Sequence, residues 1–164
     1  MSNFNTSKTC ENNYNAEYSN GKTCWYVNGE LHRTDEPVIK YHNGTKIWYL
    51  NGELHRIDGP AVEHSNGDKI WWINGKRHRL DAPAIEYSDG NKEWWINGKR
   101  HRLNGPAIED INRNKEWWLH GERHRLDGPA IEWTDGNKQW YFHGTSPRTR
   151  HKKLNYRENS SVLN

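Results

Sequence analysis

Residues 71–93 read WWINGKRHRLDAPAIEYSDGNKE, and at Trp94 the phrase begins again. Trp25, Trp48, Trp71, Trp94, Trp117 and Trp140 keep this 23-residue step without an insertion. His-Arg recurs with it at His32-Arg33, His55-Arg56, His78-Arg79, His101-Arg102 and His124-Arg125, and proline at Pro37, Pro60, Pro83, Pro106 and Pro129. Glycine follows at Gly29, Gly52, Gly75, Gly98, Gly121 and Gly144. A fixed period of this length marks one supersecondary unit copied along the chain. Such arrays present extended surfaces for binding or assembly more readily than catalytic pockets.

Each unit holds turn signals between short runs of alternating polarity, the pattern of β-hairpins. Asn28-Gly29, Asn51-Gly52, Asn74-Gly75 and Asn97-Gly98 suit the left-handed conformations of a type I′ turn, with His120-Gly121 and His143-Gly144 as weaker versions. Asp-Gly-Pro makes a second bend, since proline lacks an N–H and marks the start or edge of a strand. The run AIEYS forms a second strand, closed by a turn such as Asp89-Gly90-Asn91, and KRHR is a possible short third strand.

Comparing the copies assigns the faces. The position before the first Trp reads Cys24, Ile47, Ile70, Glu93, Glu116, Gln139, which predicts a solvent-facing site at least in the C-terminal half. Strand alternation then puts the second aromatic on the same outer face: Tyr26, Tyr49, Trp72, Trp95, Trp118 and Tyr141. The first Trp and Val27, Leu50, Ile73, Ile96, Leu119 and Phe142 form the inner face, against which Val38, Ile39, Val62, Ile85, Ile108 and Ile131 are expected to pack. Residues 14 to 21 match the second half of a unit, so the array runs from 14 to 144. Residues 1–13 are expected to be a cap or disordered segment, and 145–164 a basic cap or tail.

Composition agrees with a thin fold. Only 32% of the 164 residues are hydrophobic and the mean hydropathy is −1.26, values too low for a large globular core. Ten Trp and eight Tyr compensate, because each large aromatic can bury roughly 150–250 Å². The net charge is only +3, with 24 basic residues interleaved among 21 acidic ones. The one cationic cluster is Arg148, Arg150, His151, Lys152 and Lys153, which makes nucleic-acid binding the third-ranked function. Cys10 and Cys24 lie outside the repeat consensus and form no disulfide framework or metal pair, so they are expected to stay reduced. The start, MSNFNTSKTCENNYN, has no apolar leader pattern, and the expectation is a soluble, intracellular, cytoplasmic protein with no transmembrane segment.

These units, with EWW, NGKRHR and a later Asp-Gly, resemble the MORN repeat, and the resemblance spans residues 14 to 144. It implies an elongated sheet of hairpins used for protein association, membrane attachment or self-assembly. MORN units usually carry Gly directly after the His, where this chain has Arg33, Arg56, Arg79, Arg102 and Arg125. Units of the HRxDGPAxE kind are similar to those of uncharacterised repeat proteins of giant DNA viruses and some bacteria, which implies a viral protein of the host cytoplasm or virion. The doubled aromatic beside Asn-Gly is also similar to choline- and glucan-binding hairpin repeats.

Chemistry by the repeated polar residues is not expected. Equivalent histidines in successive units stand about 10 Å apart, too far to share a metal whose bonds to nitrogen are about 2.0 Å. His-Arg-x-Asp is therefore read as a structural bracket in which Arg pairs with Asp35, Asp58, Asp81 or Asp127, and Asn104 caps the same bend in its unit. Glu63, Glu86, Glu109 and Glu132 recur because the strand recurs, and no cofactor or catalytic arrangement is expected. The leading reading is a non-enzymatic scaffold for a protein partner or for self-association. Its contact strip is Tyr26, Tyr49, Trp72, Trp95, Trp118 and Tyr141, because Trp and Tyr are favoured at interface hot spots. The alternative is binding of a glycan, or of a phosphate or lipid head group, by the same aromatics and the arginine ladder.

Overall fold

The computed structural model describes residues 13–18 and 21–146. The segments 1–12 and 147–164, with Cys10 and the basic cluster of the expected tail, lie outside the described residues. The described residues are all-β, with no helix among them.

Two strands from each unit join one antiparallel sheet that runs the length of the array. It opens with Asn13–Tyr18 against Lys22–Val27, the half unit expected from residues 14 to 21, and continues through Ile39–Tyr41, Lys46–Ile47 and Val62–Glu63. It ends at Ile131–Glu132 paired with Lys138–Gln139. The Asn-Gly segments form a second column of two-stranded hairpins, such as Trp72–Ile73 with Lys76–Arg77 and Trp95–Ile96 with Lys99–Arg100. Both central residues of these turns have positive φ, 50° at Asn97 and 76° at Gly98, as a type I′ turn requires. The short third strand is thus a regular part of the unit.

The expected first strand is divided at its first Trp. Trp94 donates its backbone N–H to Ala107 on the main-sheet side (2.8 Å), while its carbonyl accepts from His101 on the return arm of the hairpin (3.0 Å). One residue serves both columns, so the chain changes direction there. Neighbouring hairpins are joined in turn by Gly98 N–H to Arg77 O (2.9 Å) and Arg79 N–H to Trp95 O (3.1 Å), a pattern repeated along the array.

Cross-strand register sorts the main sheet into two rows. One reads Lys46, Glu63, Lys69, Glu86, Lys92, Glu109, Lys115, Glu132, Lys138, with opposite charges alternating at every pairing. The other reads Ile47, Val62, Ile70, Ile85, Glu93, Ile108, Glu116, Ile131, Gln139. Val62, Ile85 and Ile131 are buried, as are Val38, Ile39 and the alanines Ala61, Ala84, Ala107 and Ala130. Glu93 therefore shares the core-facing row and does not face water as its polarity suggested; its side chain is only 14% exposed. The reason is local satisfaction: its carboxylate accepts from Trp95 Nε1 (2.9 Å), Arg100 Nε (3.1 Å) and the Tyr87 hydroxyl (3.3 Å). A charge drawn out of water onto three donors avoids most of the desolvation penalty.

Candidate interaction surface

Each arginine of His-Arg is turned inward over the first Trp of its unit. The guanidinium carbon lies 4.0 Å from the ring centroid at Arg56 and Trp48, 3.8 Å at Arg79 and Trp71, 3.7 Å at Arg102 and Trp94, and 3.9 Å at Arg125 and Trp117. From that position Arg102 donates to the Pro106 carbonyl (2.9 Å) and to Glu109 (2.7 Å). The same pair of acceptors recurs for Arg56, Arg79 and Arg125. The expected bracket to Asp is present as Arg33–Asp35, Arg56–Asp58 and Arg125–Asp127. The contact present in every unit from Arg56 to Arg125 is instead the one to the glutamate seven residues on. Those glutamates do more than mark the strand: they anchor the arginine that covers the tryptophan.

Trp48 and Trp94 are buried, Trp25, Trp71 and Trp117 half-buried, and Trp140, at the end of the described array, is 49% exposed. The second aromatics, Tyr26, Tyr49, Trp72, Trp95, Trp118 and Tyr141, are all half-buried. From Trp72 onward they stack alternately with arginines of the hairpin return arms. Arg77 lies 5.3 Å from Trp72 and 4.9 Å from Trp95, Arg100 is 5.1 and 5.3 Å from Trp95 and Trp118, and Arg123 is 5.1 and 5.5 Å from Trp118 and Tyr141. The row is a continuous ring–cation stack between units, and the arginines cover much of what was expected to be open aromatic surface. Partly desolvated contacts of this kind contribute about 0.5–2 kcal/mol each. Between Trp95 and Trp118 a shallow groove of about 440 Å³ opens beside Lys99 and His120.

The histidines couple one hairpin to the next. The backbone N–H of Asn51, Asn74 and Asn97 donates to Nδ1 of His32, His55 and His78 respectively, at 3.2–3.3 Å. His120 and His143 donate likewise to His101 and His124, both at 3.2 Å. At His101 and His124 an Nδ1 that accepts this N–H is unprotonated, while the Nδ1 atoms of His32, His55 and His78 also lie 2.9, 2.7 and 2.9 Å from Oδ1 of Asn51, Asn74 and Asn97. Burial, and then the neighbouring His120, pushes the His101 pKa down; burial, followed by His143, does the same for His124. Among the described residues no group of three or more His, Cys, Asp or Glu could hold a metal ion, and no helix is long and apolar enough to cross a membrane.

The open apolar surface is elsewhere. Ile57, Leu80, Leu103 and Leu126, which follow the arginine in four successive units, are 85%, 68%, 76% and 78% exposed. Together they form an aliphatic row with the period of the repeat. Each is followed by Asp or Asn, and the side chains of Asp58 and Asp127 are 81% and 83% exposed. A signal was present in the sequence, because Thr34, Ile57, Leu80, Leu103 and Leu126 occupy one column. The alternation rule assigns faces only within strands, and this column falls in the bend.

Fold and surface together define the class: an all-β hairpin repeat array whose units are joined by nearest-neighbour contacts and whose two faces differ in chemistry. No protein-family model matches the chain, and no curated protein matches it either.

Proposed function

We propose that this protein is a non-enzymatic, MORN-like repeat scaffold that associates with another protein. The aliphatic row Ile57, Leu80, Leu103 and Leu126 carries this reading, because four large apolar side chains aligned at one per unit and 68–85% exposed lie outside the core of the fold. An apolar side chain exposed at the same place in successive units offers a partner a repeated contact along the array, as repeat proteins use their extended surfaces. The half-buried aromatic row Tyr26, Tyr49, Trp72, Trp95, Trp118 and Tyr141 is a second candidate contact, with Trp95 and Trp118 lining a shallow groove. Binding of a glycan or an anionic head group has less support, since Arg33, Arg56, Arg79, Arg102 and Arg125 already pair with carboxylates. Affinity capture with the wild-type chain and with a Leu80→Asp/Leu103→Asp variant tests the proposal. A stoichiometric protein partner retained by the first and lost by the second, with both folded by circular dichroism, is the expected result. Equal recovery on both would sink the assignment of the row.

A further inference from the structure

We propose that the two ends of the main sheet bind each other between copies: the strand Asn13–Tyr18 of a second copy adds to the free side of Lys138–Gln139, and the chain assembles head to tail. The inference stands apart from the aliphatic row and concerns the sheet edges alone.

The last strand is built like an interior one. Its equivalents have a neighbour on both sides: Lys69–Ile70 pairs with Val62–Glu63 and Ile85–Glu86, and Lys115–Glu116 with Ile108–Glu109 and Ile131–Glu132. Among the described residues Lys138–Gln139 pairs only with Ile131–Glu132. Both of its residues are exposed, whereas Ile47, Ile70, Glu93 and Glu116, at the position of Gln139, are half-buried. The backbone N–H of Trp25, Trp48, Trp71, Trp94 and Trp117 donates to a carbonyl of the next strand at 2.8–3.0 Å, and among the described residues no such acceptor meets Trp140. The Trp140 side chain is 49% exposed, against 8% for Trp94.

The neighbour this edge lacks is a strand from the second half of a unit, which is what the other end of the sheet offers. Asn13–Tyr18 pairs with Lys22–Val27 on one side, and no described strand lies on its other side. Moved along by six periods of 23 residues, it fills the open place in register. Glu17 then falls in the column of Glu63, Glu86, Glu109 and Glu132, and Ala16 in that of Val62, Ile85, Ile108 and Ile131. Glu17 of the second copy stands opposite Lys138 as Glu132 stands opposite Lys115, so the alternation of charge along the row continues across the joint. Asn15, in the column of Ala84 and Ala107, brings its carbonyl to the Trp140 N–H. Neither edge strand contains a proline to blunt it. Because the two edges differ, the contact is heterologous: each addition leaves the same two edges open, and growth does not close at a dimer.

The test uses the full chain. Sedimentation velocity over a concentration series is expected to show weak association that passes beyond the dimer. Lys138→Glu and Glu17→Lys should each weaken it about tenfold, and the two together should restore it, with melting temperatures unchanged. In a Cys10→Ser background, mild oxidation of Ala16→Cys/Gln139→Cys should give a ladder of covalent dimers, trimers and longer species on denaturing gels, and neither single cysteine should give more than a dimer. A wild type that stays monomeric up to its solubility limit, association that stops at a dimer, or single charge exchanges without effect overturns the proposal. So does a disulfide between Gln139→Cys and Leu154→Cys within one chain: Leu154 lies 23 residues after Ile131, and that bond would mark the edge as filled by the chain's own residues.

Discussion

Trp95 donates its indole N–H to the carboxylate of Glu93 at 2.9 Å, and Arg100, stacked on the same ring, donates to the same oxygen at 3.1 Å. The next unit repeats the arrangement with Glu116, Trp118 and Arg123. One unit earlier Ile70 takes the place of the glutamate, and there Trp72 Nε1 and Arg77 Nε are buried without an acceptor. An orphaned buried donor costs about 1–3 kcal/mol. Ile70→Glu should therefore stabilise the protein by about 1 kcal/mol, the gain from two satisfied donors being offset in part by the lost isoleucine burial. Glu93→Ala should do the reverse, by about 2 kcal/mol or more. Urea denaturation midpoints check both signs, and an Ile70→Glu variant with a lower midpoint would contradict the account.

Arg102 combines a stacked plane over Trp94 with donation to Pro106 and Glu109. Lysine keeps the charge but has neither the plane nor the fork. Arg102→Lys should cost about 1–2 kcal/mol, as a stacked contact and a charge-assisted hydrogen bond are weakened together. Glu109→Gln should cost less, since Pro106 remains as an acceptor. A double-mutant cycle on the pair measures the coupling, and strict additivity would show that Arg102 and Glu109 act independently.

Stability should fall as the pH drops below neutrality. His101 and His124 have pKa values pushed below the ordinary 6.5, mainly by burial, and their Nδ1 atoms accept the backbone N–H of His120 and His143. Below pH 6.5 the unfolded chain then binds more protons than the folded one, so folding free energy is lost as pH falls through the window between the unfolded and folded values. Glu122, near His143 at 3.8 Å, opposes part of the shift at His124. Each group contributes at most about 1.4 kcal/mol per pH unit within its window. Melting temperatures should decline on acidification from mildly alkaline to mildly acidic buffer, and His101→Gln should flatten the decline. A profile unchanged by that substitution would remove His101 from the explanation.

Arg113 has φ of 65° in a turn where the other units place Gly44, Gly67, Gly90 and Gly136 at 90–99°. The left-handed region costs a residue with a Cβ about 1–2 kcal/mol. Arg113→Gly should raise the denaturation midpoint by an amount equivalent to about 1 kcal/mol, less the entropy glycine adds to the unfolded chain. A lower midpoint would mean that the arginine side chain makes a compensating contact.

Period, turn chemistry and the hairpin architecture were legible in the sequence, because each depends on near neighbours: Asn-Gly and His-Gly take positive φ, and proline precedes a strand. The division of the aromatics into an inner and an outer row was legible only in part: Trp48 and Trp94 are buried, but Trp25, Trp71 and Trp117 are half-buried like the second aromatics, and Ile85, expected to pack on the tryptophan face, shares a row with Ile70 and Glu93. The direction of Glu93 was not. Polarity in one copy and apolarity in another read as exposure, yet Glu93 and Ile70 occupy equivalent core-facing positions.

What the sequence by itself determined is a chain of repeated β-hairpin units, since local dihedral preference and alternation act within a few residues. Only the tertiary structure decided which polar groups are inside and which apolar ones are outside. Glu93 is drawn inward because Trp95, Arg100 and Tyr87 converge on it once the hairpin folds across the sheet. Leu80 and its equivalents lie in bends outside the paired strands and are exposed there. Burial is set by what the rest of the chain brings to a side chain, and hydrophobicity alone does not report that.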